Sequence, residues 1–184
     1  MRDKVIILLH EIYGINQFIE DQAKWLKALG YEVLIPDLLN GLSFSYDERR
    51  KAYNYFKKEV GFDSYIKINE LASQLVADYE KVYVLGFSVG ATLAWRCCEN
   101  SSISGIIGCY GSRIRDYEDL VPHCPTLLIL SKDEGFGNHL IGEKLTIKKM
   151  RAGHGFIDKY SRNYDETAAK ECQTLILSFL NSHR

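Results

Sequence analysis

Ser88 is the side chain whose surroundings could make it reactive. It lies in Gly86-Phe87-Ser88-Val89-Gly90, between the apolar run Val82-Tyr83-Val84-Leu85 and the helix-like run Ala91-Thr92-Leu93-Ala94-Trp95-Arg96. A serine on so tight a strand-to-helix turn takes a strained backbone. Residues two positions either side must be small, because larger side chains would collide there. A serine hydroxyl is a poor nucleophile near neutral pH. It needs a base at hydrogen-bond distance and a group that holds this base in one tautomer. His154, in Gly153-His154-Gly155-Phe156, is the candidate base, and Asp133 the candidate orienting acid. Glu134 is adjacent to Asp133 and could serve in its place. The chemistry would be attack on an acyl carbon. It also requires donors for the developing oxyanion, each contributing on the order of 3 kcal/mol. The amide of Val89, next after the nucleophile, is one candidate. The amide of Ile12, in His10-Glu11-Ile12-Tyr13-Gly14, is the other.

Each of these residues also has a structural reading. Ser88 could cap the following helix, His154 could be a turn histidine between glycines, and Asp133 could pair with Lys132. Glu11 fits a pocket role or a buried carboxylate bonded to backbone, and Tyr13 fits pocket lining or core. Arg113 and Arg115 follow a strand on the same edge; they read as a solvated pair more readily than as an acid-binding site.

The elements must bring these residues together. Six runs rich in Val, Ile, Leu and Tyr recur at about 4–9, 31–35, 81–86, 104–110, 125–131 and 145–149. Most are continuous rather than alternating, which predicts strands buried on both faces of a parallel sheet. Helical spacing is predicted over 17–29, 63–79, 88–100 and 164–183, and Gly30 ends the first of these. Strands alternating with helices imply right-handed crossovers in an open α/β sheet. In such a sheet the loops at the carboxyl ends of the strands carry the chemistry. Asp133 and His154 each follow a predicted strand. The aromatic stretch 38–62 predicts a helix over about 46–58, part core packing and part cap over a pocket.

At 184 residues the chain suits one domain, 1–184, able to bury a full core. A net charge of −1 with no long run of one sign gives no basis for capture of nucleic acid or a membrane surface. Five cysteines, an odd number without C-x-x-C spacing, read as free thiols in a reducing cytoplasm and offer no zinc site. The start, with a short apolar run leading into His10-Glu11, does not read as a signal peptide, and no run is long enough to span a bilayer.

The opening His10-Glu11-Ile12-Tyr13-Gly14, the step Ile35-Pro36-Asp37-Leu38, the elbow at Ser88, Tyr110-Gly111 and His154-Gly155-Phe156 together resemble the dienelactone hydrolase family. The resemblance covers nearly the whole chain. It implies a three-layer α/β/α fold of the α/β-hydrolase type, here a minimal sheet of six parallel strands without the usual leading hairpin. It implies hydrolysis of esters and lactones with no metal or cofactor. It carries the triad to Ser88, Asp133 and His154, the oxyanion amides to Ile12 and Val89, and a glutamate that contacts the resting nucleophile to Glu11. Two positions depart from the family pattern. The archetype has cysteine where this chain has Ser88. It also has an arginine for the substrate carboxylate shortly after the histidine motif, where this chain has Ile157 and Asp158. The expectation is a serine esterase acting through an acyl-serine on small esters, lactones or thioesters, as a monomer or homodimer. The alternative is a ligand-binding or sensor protein with an inactive triad on the same scaffold.

Overall fold

The computed structural model describes residues 2–183. Of the domain expected over 1–184, Met1 and Arg184 lie outside the described residues. Six strands form one sheet: β1 (Arg2–Leu9), β2 (Glu32–Leu34), β3 (Tyr79–Phe87), β4 (Gly105–Cys109), β5 (Thr126–Leu130) and β6 (Leu145–Lys149). Their order is β2-β1-β3-β4-β5-β6, and every pairing is parallel. Five α-helices accompany them: α1 (Gln17–Ala28), α2 (Arg49–Tyr55), α3 (Tyr65–Leu75), α4 (Val89–Arg96) and α5 (Glu166–Ser182).

The continuous apolar runs have a direct cause. Side chains alternate along a strand, and here both faces are covered. Val5, Ile7, Leu9, Val82 and Val84 pack on one side with Ile68 and Ala72 of α3 and Leu93 and Trp95 of α4. Ile6, Leu8, Tyr83, Leu85 and Phe87 pack on the other with Phe18, Ile19 and Leu26 of α1 and Cys172 and Ile176 of α5. The result is the expected three layers. β6 is the exception, an edge strand whose Lys148 and Lys149 face solvent. Charged side chains on an edge discourage pairing with another chain.

Register positions the site. Leu9 pairs with Gly86, and Phe87 with Cys109, so the loop after β1 and the turn after β3 leave the sheet side by side. Leu130 pairs with Lys149, which brings together the loops after β5 and β6. Lys132 N–H donates to Ala152 O at 2.9 Å and continues this pairing beyond the strands.

The stretch over 46–58 is less regular than one helix. It opens as a 3₁₀ turn (Tyr46–Glu48), continues as α2 and ends in a π-turn (Phe56–Val60). Gly61, at φ 68°, terminates it, and its N–H reaches back to Phe56 O at 2.7 Å. Ala52 and Phe56 are buried in the core, while Tyr46 and Arg49 line a pocket, so the segment does pack inward and cap at once.

Candidate active site

Ser88 joins β3 to α4 at φ 55° and ψ −115°, a conformation that costs a non-glycine residue about 1–3 kcal/mol. The two flanking glycines make the turn sterically feasible. A Cβ on Gly86 would lie 2.1 Å from Gly90 O, and one on Gly90 would lie 2.5 Å from Leu9 O. Ser88 N–H donates to Cys109 O at 3.0 Å, which ties the elbow to the end of β4.

Ser88 Oγ lies 3.0 Å from His154 Nε2. The other imidazole nitrogen, Nδ1, lies 3.2 Å from Glu134 Oε1. The acid on the imidazole is therefore Glu134, and the expectation of Asp133 is corrected. The reason is the turn after β5, closed by Glu134 N–H donating to Ser131 O at 3.2 Å. That turn directs Asp133 outward and returns Glu134 to the interior, where its side chain is 2% exposed. Glu134 Oε2 accepts from Ser131 N–H at 2.6 Å, so both carboxylate oxygens are held. Asp133 acts on the backbone instead: its Oδ2 accepts from His154 N–H at 2.8 Å. Asn163 Nδ2 donates to His154 O at 2.8 Å, so the peptide groups on both sides of the histidine are fixed. Gly153 leaves room for this, since a Cβ there would lie 3.1 Å from Asp133 Oδ2. The buried ring of Tyr110 packs on the imidazole with centroids 4.9 Å apart.

Ile12 and Val89 are both buried, and both belong to the core cluster on the α4 side of the sheet. Val89 N–H opens α4 and has no intrahelical acceptor, as expected for a first-turn amide. The loop carrying Ile12 is braced by His10. Its Nδ1 donates to Glu11 O at 2.6 Å and its Nε2 accepts from Leu38 N–H at 3.1 Å. That pair of bonds requires the neutral ring, and burial lowers its pKa accordingly. Glu11 is buried, and the loss of water pushes its carboxyl up to about 7. The nearby His154 opposes this rise, the neighbouring Asp158 adds to it and the Tyr110 hydroxyl opposes it.

A cavity of about 420 Å³ opens over His154, lined by Glu11, Ile12, Tyr13, Tyr46, Arg49 and Arg162 among others. Glu11 and Tyr13 thus line this cavity. The arginines considered from sequence do not. Arg113 donates to Tyr53 Oη at 3.2 Å and pairs with Asp116 at 3.5 Å, away from this cavity. The cations at the pocket are Arg49 and Arg162, which sequence reasoning passed over. Arg49 lies within a stretch whose pattern is set by its aromatics. Arg162 lies in irregular chain with no pattern to flag it. Among the described residues, no group of three or more His, Cys, Asp and Glu converges as a metal site. Nor is any helix long and apolar enough to cross a membrane.

A family model described as the dienelactone hydrolase family matches residues 1–184. A Bacillus subtilis (strain 168) protein named "Uncharacterized protein YczH" is 37% identical over 151 residues, which cover 80% of this chain and 71% of that one. Carboxymethylenebutenolidase 1 of Cupriavidus pinatubonensis is 26% identical, with 96% of this chain and 85% of that one aligned. The crystal structure of a dienelactone hydrolase from Anabaena variabilis superposes with a TM-score of 0.71 at 16% identity, over 98% of this chain and 87% of that one. With the serine elbow, the parallel sheet and a match along its whole length, the chain belongs to the dienelactone hydrolase family, α/β-hydrolases that act on ester bonds.

Proposed function

We propose that the protein is a serine hydrolase of small carboxylic esters and lactones, working through an acyl-serine with Ser88, His154 and Glu134 as triad. The observation that carries this reading is the continuous relay from Ser88 Oγ to His154 Nε2 (3.0 Å) and from His154 Nδ1 to Glu134 Oε1 (3.2 Å). His154 takes the proton of Ser88 as Oγ attacks the acyl carbon. Glu134 keeps the proton-bearing Nδ1 turned away from the serine and stabilises the imidazolium that forms. The amides of Ile12 and Val89 receive the oxyanion. His154 then protonates the leaving oxygen. Water, deprotonated by the same ring, attacks the acyl-serine and releases the acid.

The pocket suits small substrates, and its two arginines, set against Asp47 in the same lining, can meet a negative charge on them. Its volume of about 420 Å³ is at the small end for ligand sites. Arg49 and Arg162 line it and have no ion-pair partner among the described residues. Asp158, in the stretch where the family pattern has an arginine, is occupied by bonds from Tyr46 and Tyr160 rather than bare. The name of the Cupriavidus relative points to a lactone, which agrees with this class. Five buried free thiols suit a reducing compartment such as the cytoplasm.

The test is pre-steady-state hydrolysis of p-nitrophenyl acetate, with fluorophosphonate labelling alongside. Wild type should give a burst of p-nitrophenol and take one label on Ser88, and Ser88→Ala should do neither. A burst that persists in Ser88→Ala would remove the serine from the mechanism. Wild type that neither bursts nor labels would leave only a binding role for the scaffold.

A further inference from the structure

The cavity over His154 is walled by two stretches of chain far apart in sequence. One opens the cap and supplies Tyr46 and Arg49. The other follows the histidine and supplies Asp158, Ser161 and Arg162. The Tyr46 hydroxyl joins them, donating to Asp158 Oδ2 at 2.5 Å and accepting from Asn16 Nδ2 at 3.2 Å. The Tyr46 ring lies against Tyr13, with centroids 4.8 Å apart, and Phe44 N–H donates to Tyr13 O at 3.1 Å. One phenol therefore connects the start of α1, the loop after β1, the cap and the histidine loop.

Asp158 is fully buried, and its second oxygen accepts from Tyr160 N–H at 2.9 Å. Both oxygens of its carboxylate are engaged by the protein. Yet it stands at the pocket wall, in the stretch where the family resemblance leads one to expect a substrate-binding arginine. A polar pair needed only for stability could sit anywhere in the fold. This pair sits where the two walls meet, so it fixes how far apart they stand.

We propose that Tyr46 and Asp158 are a positioning pair that sets the width of the substrate pocket, and so selects substrates by size. Their hydrogen bond holds the cap against the histidine loop, with Arg49 on one wall and Arg162 on the other. The proposal rests on the ester-hydrolase reading above. Neither residue touches the reacting atoms. The relay among Ser88, His154 and Glu134 uses neither of them.

The experiment compares Tyr46→Phe, Asp158→Ala and Asp158→Asn with wild type. It measures kcat and KM for p-nitrophenyl acetate, butyrate and octanoate, with fluorophosphonate labelling of Ser88 in each. Tyr46→Phe deletes only the hydroxyl and keeps the ring on Tyr13. It should raise KM for the acetate about fivefold and lower the acetate-to-octanoate ratio of kcat/KM about tenfold, the scale of one lost hydrogen bond. Asp158→Ala should do the same. Asp158→Asn keeps an acceptor for Tyr46 and should restore most of the selectivity. If Tyr46→Phe does not fold, the contrast between Asp158→Ala and Asp158→Asn carries the same comparison. Wild-type ratios in Tyr46→Phe, or equal losses in the two Asp158 variants, would overturn the proposal while Ser88 still labels. Wild type that fails to label would overturn the hydrolase reading, and the proposal with it.

Discussion

Asp133 and Glu134 are adjacent carboxylates with different roles, and a single turn separates them. Glu134 faces the imidazole from a nearly closed site, whereas Asp133 holds the backbone N–H of His154 from the exposed side. Removing the buried acid leaves the histidine without its tautomer control. Glu134→Ala should therefore lower kcat/KM for p-nitrophenyl acetate by roughly 10³- to 10⁴-fold. Asp133→Ala loosens the loop but leaves the relay intact, so a loss of about tenfold is expected from one loop hydrogen bond. The opposite ranking in steady-state assays would return the acid role to Asp133. Ser88 and His154 were legible in sequence because each sits in a glycine-flanked motif with a mechanical reason for its glycines. The choice of acid was not legible. Two neighbouring carboxylates on one turn look alike until the backbone hydrogen bond from Glu134 to Ser131 decides which one turns inward.

Elements that bury both faces announced themselves, and those that do not were harder to read. β1, β3, β4 and β5 match their apolar runs because each strand is enclosed between helices. β2 is only three residues long, shorter than the apolar run at 31–35, and it lies at the rim of the sheet. α3 stops at Leu75 and α4 at Arg96, each short of the stretch its apolar spacing suggested. That spacing continues into turns, and it marks a buried face without marking where the helix ends. The segment at 46–58 breaks into three helical types because it serves the core with Ala52 and Phe56 and the pocket with Tyr46 and Arg49. The strand-to-helix contact at the elbow makes a further prediction. Gly90→Ala would drive a methyl into Leu9 O and His10 O, at 2.5 and 2.7 Å, pushing α4 away from β1. It should cost about 3 kcal/mol in urea unfolding, at the upper end for overpacking, and displace Ser88 as well. Gly135→Ala meets nothing within 4 Å and should change stability by less than about 0.5 kcal/mol. Equal effects at the two positions would show that the elbow is looser than its contacts indicate.

At the scale of the molecule, the convergence of loops at the carboxyl ends of the strands leaves ionisable groups buried. The response of the whole fold to pH follows from this. Glu11 lies beneath the pocket with its carboxyl raised from 4.5 to about 7, because burial penalises the charged form. The unfolded chain gives up that proton near 4.5, while the folded chain keeps it until about 7. Between those values the native state holds more protons. The group's contribution to stability is thus complete below 4.5 and is lost as pH rises through 7. The difference between the two values corresponds to on the order of 3 kcal/mol. His10 next to it shifts in the opposite sense: burial lowers its pKa, so its contribution is present above the ordinary imidazole value and lost as pH falls. A bare pH profile would mix the two, and a substitution separates them. Glu11→Gln keeps the shape and a hydrogen-bonding head but cannot ionise. Relative to this variant, wild type should lose on the order of 3 kcal/mol between pH 4.5 and pH 8 in urea unfolding, with His10 cancelling from the comparison. Parallel stability profiles for the two proteins would mean that Glu11 is far better solvated, or better paired as an anion, than a carboxyl closed in beneath His154 and Asp158 should be.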